Sequence, residues 1–313
     1  LSLRILSNDH PNIVSFRGIT TTSSSSSSNF MTSNCLYLIF DYNPIDMYSI
    51  MQTHRGGLSF PMLRFITTEM LSAVSHCHSY GILHRDITLK NFLVSSKGRI
   101  QLCDFGLAKP CPKYIITDDD DDDDDDNNKK NKKKKTEEDD DDENEKALCT
   151  LYYRPPELLL GGRANHPSLD IYSLGLVLSE LASGRPLFPG KNVLDQLHRI
   201  FQVLGTPSES SSLTKLRDYN KVNFRKYPSQ PLEDVLPRAS ECSLFFRFIR
   251  RCIVLNPEER ISTSVAFQEW QTSLKQNQGD DFVASSAFEL IPTECKTMLF
   301  SLSKLESAER EAL

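Results

Sequence analysis

Four short polar motifs follow one another in a fixed order along the chain, and they constrain its fold more than any other feature. Residues 84–86 read His-Arg-Asp, with an asparagine five positions after the aspartate, and residues 104–106 read Asp-Phe-Gly. Residues 154–157 read Arg-Pro-Pro-Glu, residues 170–175 read Asp-Ile-Tyr-Ser-Leu-Gly, and Arg260 follows far downstream. A lone Asp-Phe-Gly would be a weak signal, whereas the whole set in this order and with these spacings is a strong one.

The segments between these motifs combine helical and extended patterns. Ser59 followed by Phe60 and Pro61 is a helix start signal, because serine caps helix ends and proline fits the first turn. Apolar residues at three- and four-residue spacing continue that helix. We predict further helices over 171–181, 193–204 and 244–255, strands over 13–19, 82–83, 92–94 and 100–102, a buried strand over 36–40, and the end of a helix within 1–7.

With these motifs the chain resembles the catalytic domain of the eukaryotic protein kinases, whose catalytic loop, metal-binding loop and activation-segment anchor they match. The resemblance runs from residue 1 to about residue 271 and implies an α+β fold of two lobes, a β-rich small lobe and a mainly α-helical large lobe. Residues 206–237 lie where one branch, the CMGC group, carries its insertion. Within that group the chain resembles the cyclin-dependent kinases, at residues 10–14 (HPNIV), 150–154 (TLYYR), 187–190 (LFPG) and 204–207 (LGTP).

The resemblance also divides the chain into segments. Residues 1–43 correspond to a remnant of the small lobe with the hinge, residues 44–275 to the large lobe, and residues 276–313 to a C-terminal tail. The family's glycine-rich loop, its phosphate-binding lysine and the partner glutamate have no counterpart, and the glutamate position falls at Leu1. We therefore interpret the small lobe as truncated, and we expect the chain as it stands to bind ATP poorly.

In the large lobe, the resemblance assigns the chemistry to oxygen-bearing side chains. Phosphoryl transfer needs positioning, metal ions that neutralise phosphate charge and a group that orients the attacking hydroxyl. Asp86 is the candidate base, Asn91 and Asp104 are candidate ligands of Mg²⁺, and Thr150 is expected to support the substrate region. These roles imply a protein serine/threonine kinase that transfers the γ-phosphoryl group of ATP to protein hydroxyls. The alternative for an Arg-Asp pair is a solvated salt bridge.

The catalytic loop departs from the family at one position. Two residues after Asp86, where serine/threonine kinases carry lysine, this chain has Thr88, and loss of such a charge can cost about 2.7–4 kcal/mol in barrier. Lys90 lies where tyrosine kinases place arginine and is the candidate replacement. Tyrosine specificity rests on Lys90 alone, and the insertion at 206–237 opposes it. Arg154 resembles the arginine of the proline-directed kinases, so we expect a proline after the acceptor.

The resemblance places the nucleotide between the two lobes. For two apolar residues assigned to this site, Phe40 and Leu93, the alternative is plain core packing. For Cys103 the alternative is a buried inert thiol. The assignments are Phe40 as gatekeeper, Asp41 and Asn43 as hinge residues that meet adenine, Asp46 near the ribose, Leu93 as the floor of the adenine site, and Cys103 as part of the pocket floor.

Residues 117–146 form an acidic run of 17 acidic residues and seven lysines, a net charge of −10 in a chain whose total is −6. A run this charged has little to pack into a core, so we predict a disordered insertion. The remainder is therefore only mildly basic at +4, which argues against a strongly basic nucleic-acid binder. Glu145 falls where cyclin-dependent kinases carry their activating phosphothreonine and can imitate part of its charge; the alternative is solvated filler.

Partners and compartment follow from the same patterns. The chain has no run of the about 20 apolar residues that a membrane span needs, and its eight cysteines form no Cys-x-x-Cys pair. We expect an intracellular protein of the nucleus or cytoplasm that binds protein substrates and a cyclin-like activator, but neither membrane nor nucleic acid. The alternative is a catalytically impaired pseudokinase scaffold, which the absent small-lobe motifs and Thr88 favour and Asp86, Asn91 and Asp104 oppose.

Overall fold

The computed structural model describes residues 10–22, 35–111, 150–236, 238 and 242–276. Within these residues it combines small antiparallel sheets with a mainly helical body, which confirms the α+β class. The predicted helix end within 1–7, the acidic run with Glu145, and the tail beyond residue 276 lie outside the described residues.

The segment that precedes residue 41 is a two-stranded antiparallel ribbon. Strand β1 (Phe16–Thr22) pairs with β2 (Cys35–Phe40), with Phe16 opposite Phe40 and their ring centroids 5.5 Å apart. The predicted strand over 36–40 is present, but the prediction that it is buried is wrong. Every residue of β2 is exposed, from 64% at Leu36 to 39% at Phe40 among the large apolar ones, because the described residues cover neither face of the ribbon.

The helical body is built around two buried helices. Helix α2 (Phe60–Ser79) begins after Ser59 with Pro61 in its first turn, as predicted, and α4 (Ser168–Ser183) is buried along nearly its whole length. Gly175 lets α4 approach Cys252, the last residue of a later helix, closely, since a Cβ at Gly175 would lie 2.8 Å from the Cβ of Cys252. The other helices are α1 (Met47–Met51), α3 (Pro156–Leu159), α5 (Val193–Leu204), α6 (Leu232–Val235), α7 (Ser243–Cys252) and α8 (Thr263–Gln276).

Short strands bring the motif-bearing loops together. Strands β3 (Ile45–Asp46), β5 (Phe92–Val94) and β6 (Ile100–Leu102) form one antiparallel sheet in the order β3-β5-β6. Strand β4 (Ile82–Leu83) pairs with β7 (Lys109–Pro110). The loop between β4 and β5 and the loop after β6 therefore emerge side by side. Single 3₁₀ turns occur at Leu89–Asn91, Phe105–Leu107, Leu151–Tyr153, Ser212–Lys215, Tyr219–Lys221 and Pro257–Glu259.

A buried polar contact joins the start of the ribbon to the helical body. The amide group of Asn12 donates to Glu69 Oε2 of α2 at 2.7 Å and to the Ile100 carbonyl at 2.9 Å. Arg99 forms an ion pair with Glu69 at 3.0 Å. This joint holds the entry to β1 against α2 and β6. No helix in the described part of the chain is long and apolar enough to cross a bilayer.

Candidate active site

The carboxylate of Asp170 stabilises the loop after β4 by accepting hydrogen bonds from its backbone. Asp170 lies in the first turn of α4 and is completely buried. Its Oδ2 accepts the His84 backbone N–H at 2.9 Å, and its Oδ1 accepts the Arg85 backbone N–H at 2.8 Å. Arg85 takes a left-handed backbone conformation with φ of 70°, which is uncommon for a residue with a Cβ. The carboxylate thus stabilises a turn that the chain would rarely adopt alone.

A histidine that the sequence interpretation missed completes this support. The His78 ring, at the end of α2, lies 2.8 Å from Asp170 Oδ2 through Nε2 and 2.9 Å from the Thr263 hydroxyl through Nδ1. Burial alone would raise the pKa of Asp170, but the His78 contact and the Arg85 N–H outweigh it and hold that pKa below its ordinary value. The position of His78 in the sequence could have indicated this role. His78 follows Val74 by one helical turn on the apolar face of α2, where a polar ring needs hydrogen-bond partners.

The candidate base Asp86 is fixed through one of its two carboxylate oxygens. The Asn91 side-chain amide donates to Asp86 Oδ2 at 2.9 Å and to the Asp86 carbonyl at 2.8 Å. Asp86 Oδ1 is shielded and has no hydrogen-bond partner among the described residues. Asn91 is itself tied to the next loop, since its carbonyl accepts the Cys103 N–H at 2.9 Å. The arrangement orients the Asp86 carboxylate and leaves one oxygen to accept a proton.

The Asp-Phe-Gly loop packs directly on the catalytic loop. The His84 ring accepts the Asp86 N–H at Nδ1 and donates from Nε2 to the Cys103 carbonyl at 2.9 Å. It also meets the Phe105 ring edge-on, with ring centroids 4.9 Å apart.

Asp104 and Asn91 offer oxygen ligands that fit a hard cation. Asp104 is exposed, has φ of 58°, and accepts the Gly106 N–H at Oδ1. Because both Asn91 amide contacts run to Asp86, the Asn91 side-chain oxygen is available. No cluster of three or more His, Cys, Asp or Glu side chains suited to a metal occurs among the described residues. Two oxygen ligands with the remaining positions open are what Mg²⁺ uses beside phosphates, so the donor set fits.

The predicted nucleotide residues fall into two groups. Asp46 and Leu93 are register partners in the β3–β5 pair, and Cys103 lies close to Asp46 and Asp104. Burial, then these two carboxylates, raise the pKa of Cys103 to about 12, which favours the inert-thiol interpretation. Asp46 also caps α1, accepting the Ser49 N–H at 2.8 Å.

The second group lies at the end of the ribbon and in the link that follows it. The Asp41 N–H donates to the Ser15 carbonyl at 3.0 Å, and its carboxylate pairs with Arg17. The Asn43 side-chain nitrogen is shielded from solvent and has no partner among the described residues. Phe40 packs its ring edge-on against Phe16 of the opposite strand.

Thr88, Lys90 and Thr150 line one cavity of about 630 Å³ beside α1. Thr88 is buried, whereas Lys90 is exposed and its Nζ lies 5.1 Å from the centroid of the Tyr48 ring. Thr150 is exposed and accepts the Tyr153 N–H at 3.0 Å through its carbonyl. A separate cavity of about 810 Å³ is bordered by residues between 206 and 227, and none of the predicted site residues borders it.

The predicted anchor of the segment after Thr150 is present. Arg260 binds the Glu157 carboxylate through two hydrogen bonds of 2.6 and 2.7 Å, and its guanidinium stacks on the Tyr172 ring, 4.6 Å from the ring centroid. The guanidinium also donates to backbone carbonyls, among them that of Ser168 at 3.1 Å. Such a pair fixes the segment and takes no part in chemistry.

Comparisons with known proteins agree with this geometry. The protein kinase domain family matches residues 3–271. The chain is 31% identical over 265 residues to Cell division control protein 2 homolog 3 of Trypanosoma brucei brucei, a match that covers 83% of this chain and 72% of the relative. It is 32% identical over 234 residues to Cyclin-dependent kinase 20 of Pongo abelii, covering 73% of this chain and 59% of that relative.

Proposed function

The chain belongs to the protein kinase family, as a serine/threonine kinase domain of the cyclin-dependent-kinase-like branch, and we propose that it phosphorylates serine and threonine hydroxyls of protein substrates with ATP. The observation that carries this proposal is the state of Asp86, whose Oδ2 is held by Asn91 while Oδ1 has no partner among the described residues. An inactive scaffold has no need of this arrangement.

The proposed transfer follows from that geometry. The hydroxyl oxygen of the substrate forms a bond to the γ-phosphorus, and the bond from that phosphorus to the β–γ bridging oxygen breaks. The hydroxyl proton passes to Asp86 Oδ1, the free carboxylate oxygen. Asn91 keeps the carboxylate in one orientation during this step, and the Asp170 carboxylate keeps the loop in place.

We propose Asn91 and Asp104 as the residues that hold Mg²⁺. When bound, the ion neutralises the charge of the phosphates. The Gly106 N–H fixes one oxygen of the Asp104 carboxylate, and the adjacent His84–Phe105 contact holds its loop. Asp104→Asn therefore removes ligand charge while the loop keeps its packing.

For the nucleotide, we propose the six residues at the hinge and on the floor of the large lobe. The shielded, unpartnered Asn43 nitrogen and the proximity of Asp46, Leu93 and Cys103 support this assignment. The division into a small-lobe remnant (1–43), large lobe (44–275) and tail (276–313) stays a proposal of the same kind. The full set is Phe40, Asp41, Asn43, Asp46, Leu93 and Cys103.

Lys90 is proposed as the cation that replaces the family lysine lost at Thr88, with Thr150 supporting the substrate. The exposed Lys90 side chain on the loop of Asp86 supports the first role. If Lys90 supplies the charge, Thr88→Lys leaves the rate of transfer unchanged; a faster Thr88→Lys enzyme would contradict this role.

We further propose that the kinase is proline-directed, binds a cyclin-like activator and works inside the cell, in the nucleus or cytoplasm. Arg154 after the Thr150 segment supports the first point, and the name of the relative Cyclin-dependent kinase 20 supports the second. The described cysteines are all free thiols, which suits a reducing compartment.

The test is a transfer assay with the full chain, ATP, Mg²⁺ and arrays of serine, threonine and tyrosine peptides. We expect label on serine and threonine peptides, a fall of about 10²–10⁴ in rate for Asp86→Asn, and loss of Mg²⁺-dependent transfer for Asp104→Asn. Thermal unfolding serves as the control, because neither substitution should change the melting temperature much. Equal rates for wild type and both variants would exclude the assigned roles.

A further inference from the structure

Two loops approach each other so closely that they place two arginines on one rim. Gly57 and Gly184 have φ of +82° and +76°. A Cβ on Gly57 would lie 2.1 Å from the Ala182 carbonyl oxygen at the end of α4, and a Cβ on Gly184 would lie 2.1 Å from the Arg55 carbonyl oxygen. The Leu58 N–H also donates to the Leu181 carbonyl at 2.9 Å. This backbone contact requires glycine at both positions. It fixes Arg55, two residues before the first glycine, beside Arg185, which directly follows the second.

A third cation reaches the same place from the catalytic loop. Arg55, Arg185 and Lys90 all line the cavity of about 630 Å³ beside α1, and all three are exposed. We call this cavity, with these three residues, the basic cavity. Its other polar lining includes Thr88 and Thr150, so it begins within a few residues of the proposed base.

The positive charge of the basic cavity is not balanced by the carboxylates that line it. Glu180 is the one carboxylate among the described residues that line it, and its Oε2 is engaged by the Tyr153 hydroxyl at 2.8 Å. Burial raises the pKa of Glu180, the hydrogen bond from Tyr153 opposing the shift, so its negative charge is disfavoured there. The three cations therefore outnumber the one carboxylate on the cavity walls, and that carboxylate is already engaged by Tyr153.

Several arginines at or near the surface of the described residues have a carboxylate partner, whereas the two arginines of the basic cavity do not. Arg55 and Arg185 form no ion pair with a described residue, and the recorded contact of the Lys90 ammonium is with the Tyr48 ring. An isolated surface cation is normally just solvated, but three that converge on one concave site are not isolated. The paired examples are Arg17–Asp41, Arg99–Glu69, Arg199–Asp195, Arg217–Asp218, Arg250–Glu233 and Arg251–Glu269.

We propose that the basic cavity binds an anionic side chain of the protein substrate, a carboxylate or a phosphate, within about four residues of the acceptor hydroxyl. The inference rests on the proposed kinase function. An extended peptide advances about 3.3 Å per residue. When the acceptor hydroxyl of the substrate lies at Asp86, the neighbouring residues of the peptide therefore lie near Thr88 and Lys90. Guanidinium groups bind carboxylate and phosphate through two parallel hydrogen bonds, which suits the pair of arginines on the rim.

The experiment compares matched peptides that differ at one position. Each carries a serine acceptor followed by proline, with glutamate, phosphoserine, glutamine or lysine placed in turn at positions up to four residues away. For the wild-type chain we expect kcat/KM to be about ten- to hundred-fold higher with the anion than with lysine at the preferred position, mainly through KM. Raising the salt from 0.1 to 1 M should shrink this ratio.

Charge reversal identifies the site. In the double variant Arg55→Glu with Arg185→Glu, we expect the preference to invert toward the lysine peptide while the neutral glutamine peptide is used as before. Arg247→Glu, an exposed arginine of α7 outside the cavity, is the matched control and should keep the wild-type preference. Equal use of all peptides both by wild type and by a variant that lacks residues 118–142, or a double variant that behaves like Arg247→Glu, would overturn the proposal.

Two further measurements separate the possible failures. Peptide binding measured by fluorescence anisotropy does not need turnover, so an anion preference in binding supports the cavity even if no phosphorylation occurs and the proposed function fails. The chain's own acidic run is a second source of carboxylates. If the peptide preference emerges only after removal of residues 118–142, the run competes for the same cations, whereas no preference before or after removal overturns the proposal. A greater gain with phosphoserine than with glutamate identifies phosphate as the preferred anion.

Discussion

The loop that carries Asp86 and the ribbon that ends at Phe40 are held in place in very different ways. The loop is fixed by backbone N–H donors that end on the buried carboxylate of Asp170, which His78 braces in turn. The ribbon consists of one antiparallel pair, and every residue of its second strand is exposed. Both regions contribute residues to the proposed active site, so the difference concerns how firmly each contribution is positioned.

The contrast matches what each region has to do. A base must keep its carboxylate within hydrogen-bonding distance of one proton, and buried charge-assisted hydrogen bonds give that geometry. A two-stranded hairpin alone is only marginally stable, so residues on it need contacts with other groups to be equally fixed. We therefore expect substitutions to have large effects in the first region and small effects in the second.

The largest effect is expected from Asp170→Ala. The substitution leaves two backbone N–H groups and the His78 ring buried without their acceptor, which destabilises proteins by about 3–5 kcal/mol. Phosphorylation should be lost with it, because the turn at Arg85 loses its support. Denaturant unfolding and the transfer assay measure the two effects. Asp195→Ala, which breaks a partly exposed pair with Arg199, is the control and should change little; equal effects would contradict the role given to Asp170.

The next comparison uses one leucine from each region. Leu102 is fully buried in β6, so Leu102→Ala should lower the free energy of unfolding by about 2–5 kcal/mol through lost burial and a cavity. Leu38 is 46% exposed in β2, so Leu38→Ala should change it by about 0.5 kcal/mol or less. Chemical denaturation of both variants gives the difference. A large loss for Leu38→Ala would mean that the ribbon face is covered in solution.

The third comparison concerns the joint between the regions and depends on pH. The His10 ring stacks on His76 at 4.2 Å and lies near Ser72 and Arg99, the last of these paired with Glu69. Burial, then the His76 and Arg99 charges, lower the pKa of His10 from 6.5 to about 4. Between pH 6.5 and pH 4 the unfolded chain binds a proton at His10 that the folded chain does not. The free energy of unfolding is therefore highest above pH 6.5 and falls as the pH is lowered toward 4.

Replacing the ring tests this pH dependence. His10→Asn should flatten the decline of the melting temperature between pH 6.5 and pH 4, while His198→Asn, in α5 and remote from the joint, should leave the slope as in wild type. Melting curves across that range provide the measurement. If the slope of His10→Asn equals that of wild type, protonation of His10 does not weaken the joint.

The same two regions separate what the sequence could predict from what it could not. Around Asp86 the motif spacing predicted a candidate base with an amide close to it, and short apolar runs predicted the strands 82–83, 92–94 and 100–102, which are present. The helix after Ser59 likewise followed from its start signal and apolar period. Local patterns of this kind are decided by residues within one or two turns of each other.

Features that depend on distant partners and lie outside the family motifs were beyond the sequence. The apolar run 36–40 predicted a buried strand, yet burial depends on which other elements cover a face, and a run of letters does not contain that information. The role of His78 depends on Asp170, 92 positions away. The glycine contact that aligns Arg55 with Arg185 likewise joins loops more than a hundred residues apart.

The ion pair of Glu157 with Arg260 has a consequence for how the protein is made. The two residues are 103 positions apart, so the pair closes a long loop whose conformational entropy must be overcome before the contact can form. At synthesis rates of about 5–20 residues per second, Arg260 leaves the ribosome roughly 5–20 s after Glu157. During that interval the nascent chain already contains Asp86, Asn91 and Asp104, but the segment after Thr150 has no anchor. We expect the substrate-binding side to mature last, so that catalytic competence arrives only when α7 and the Arg260 turn have been synthesised.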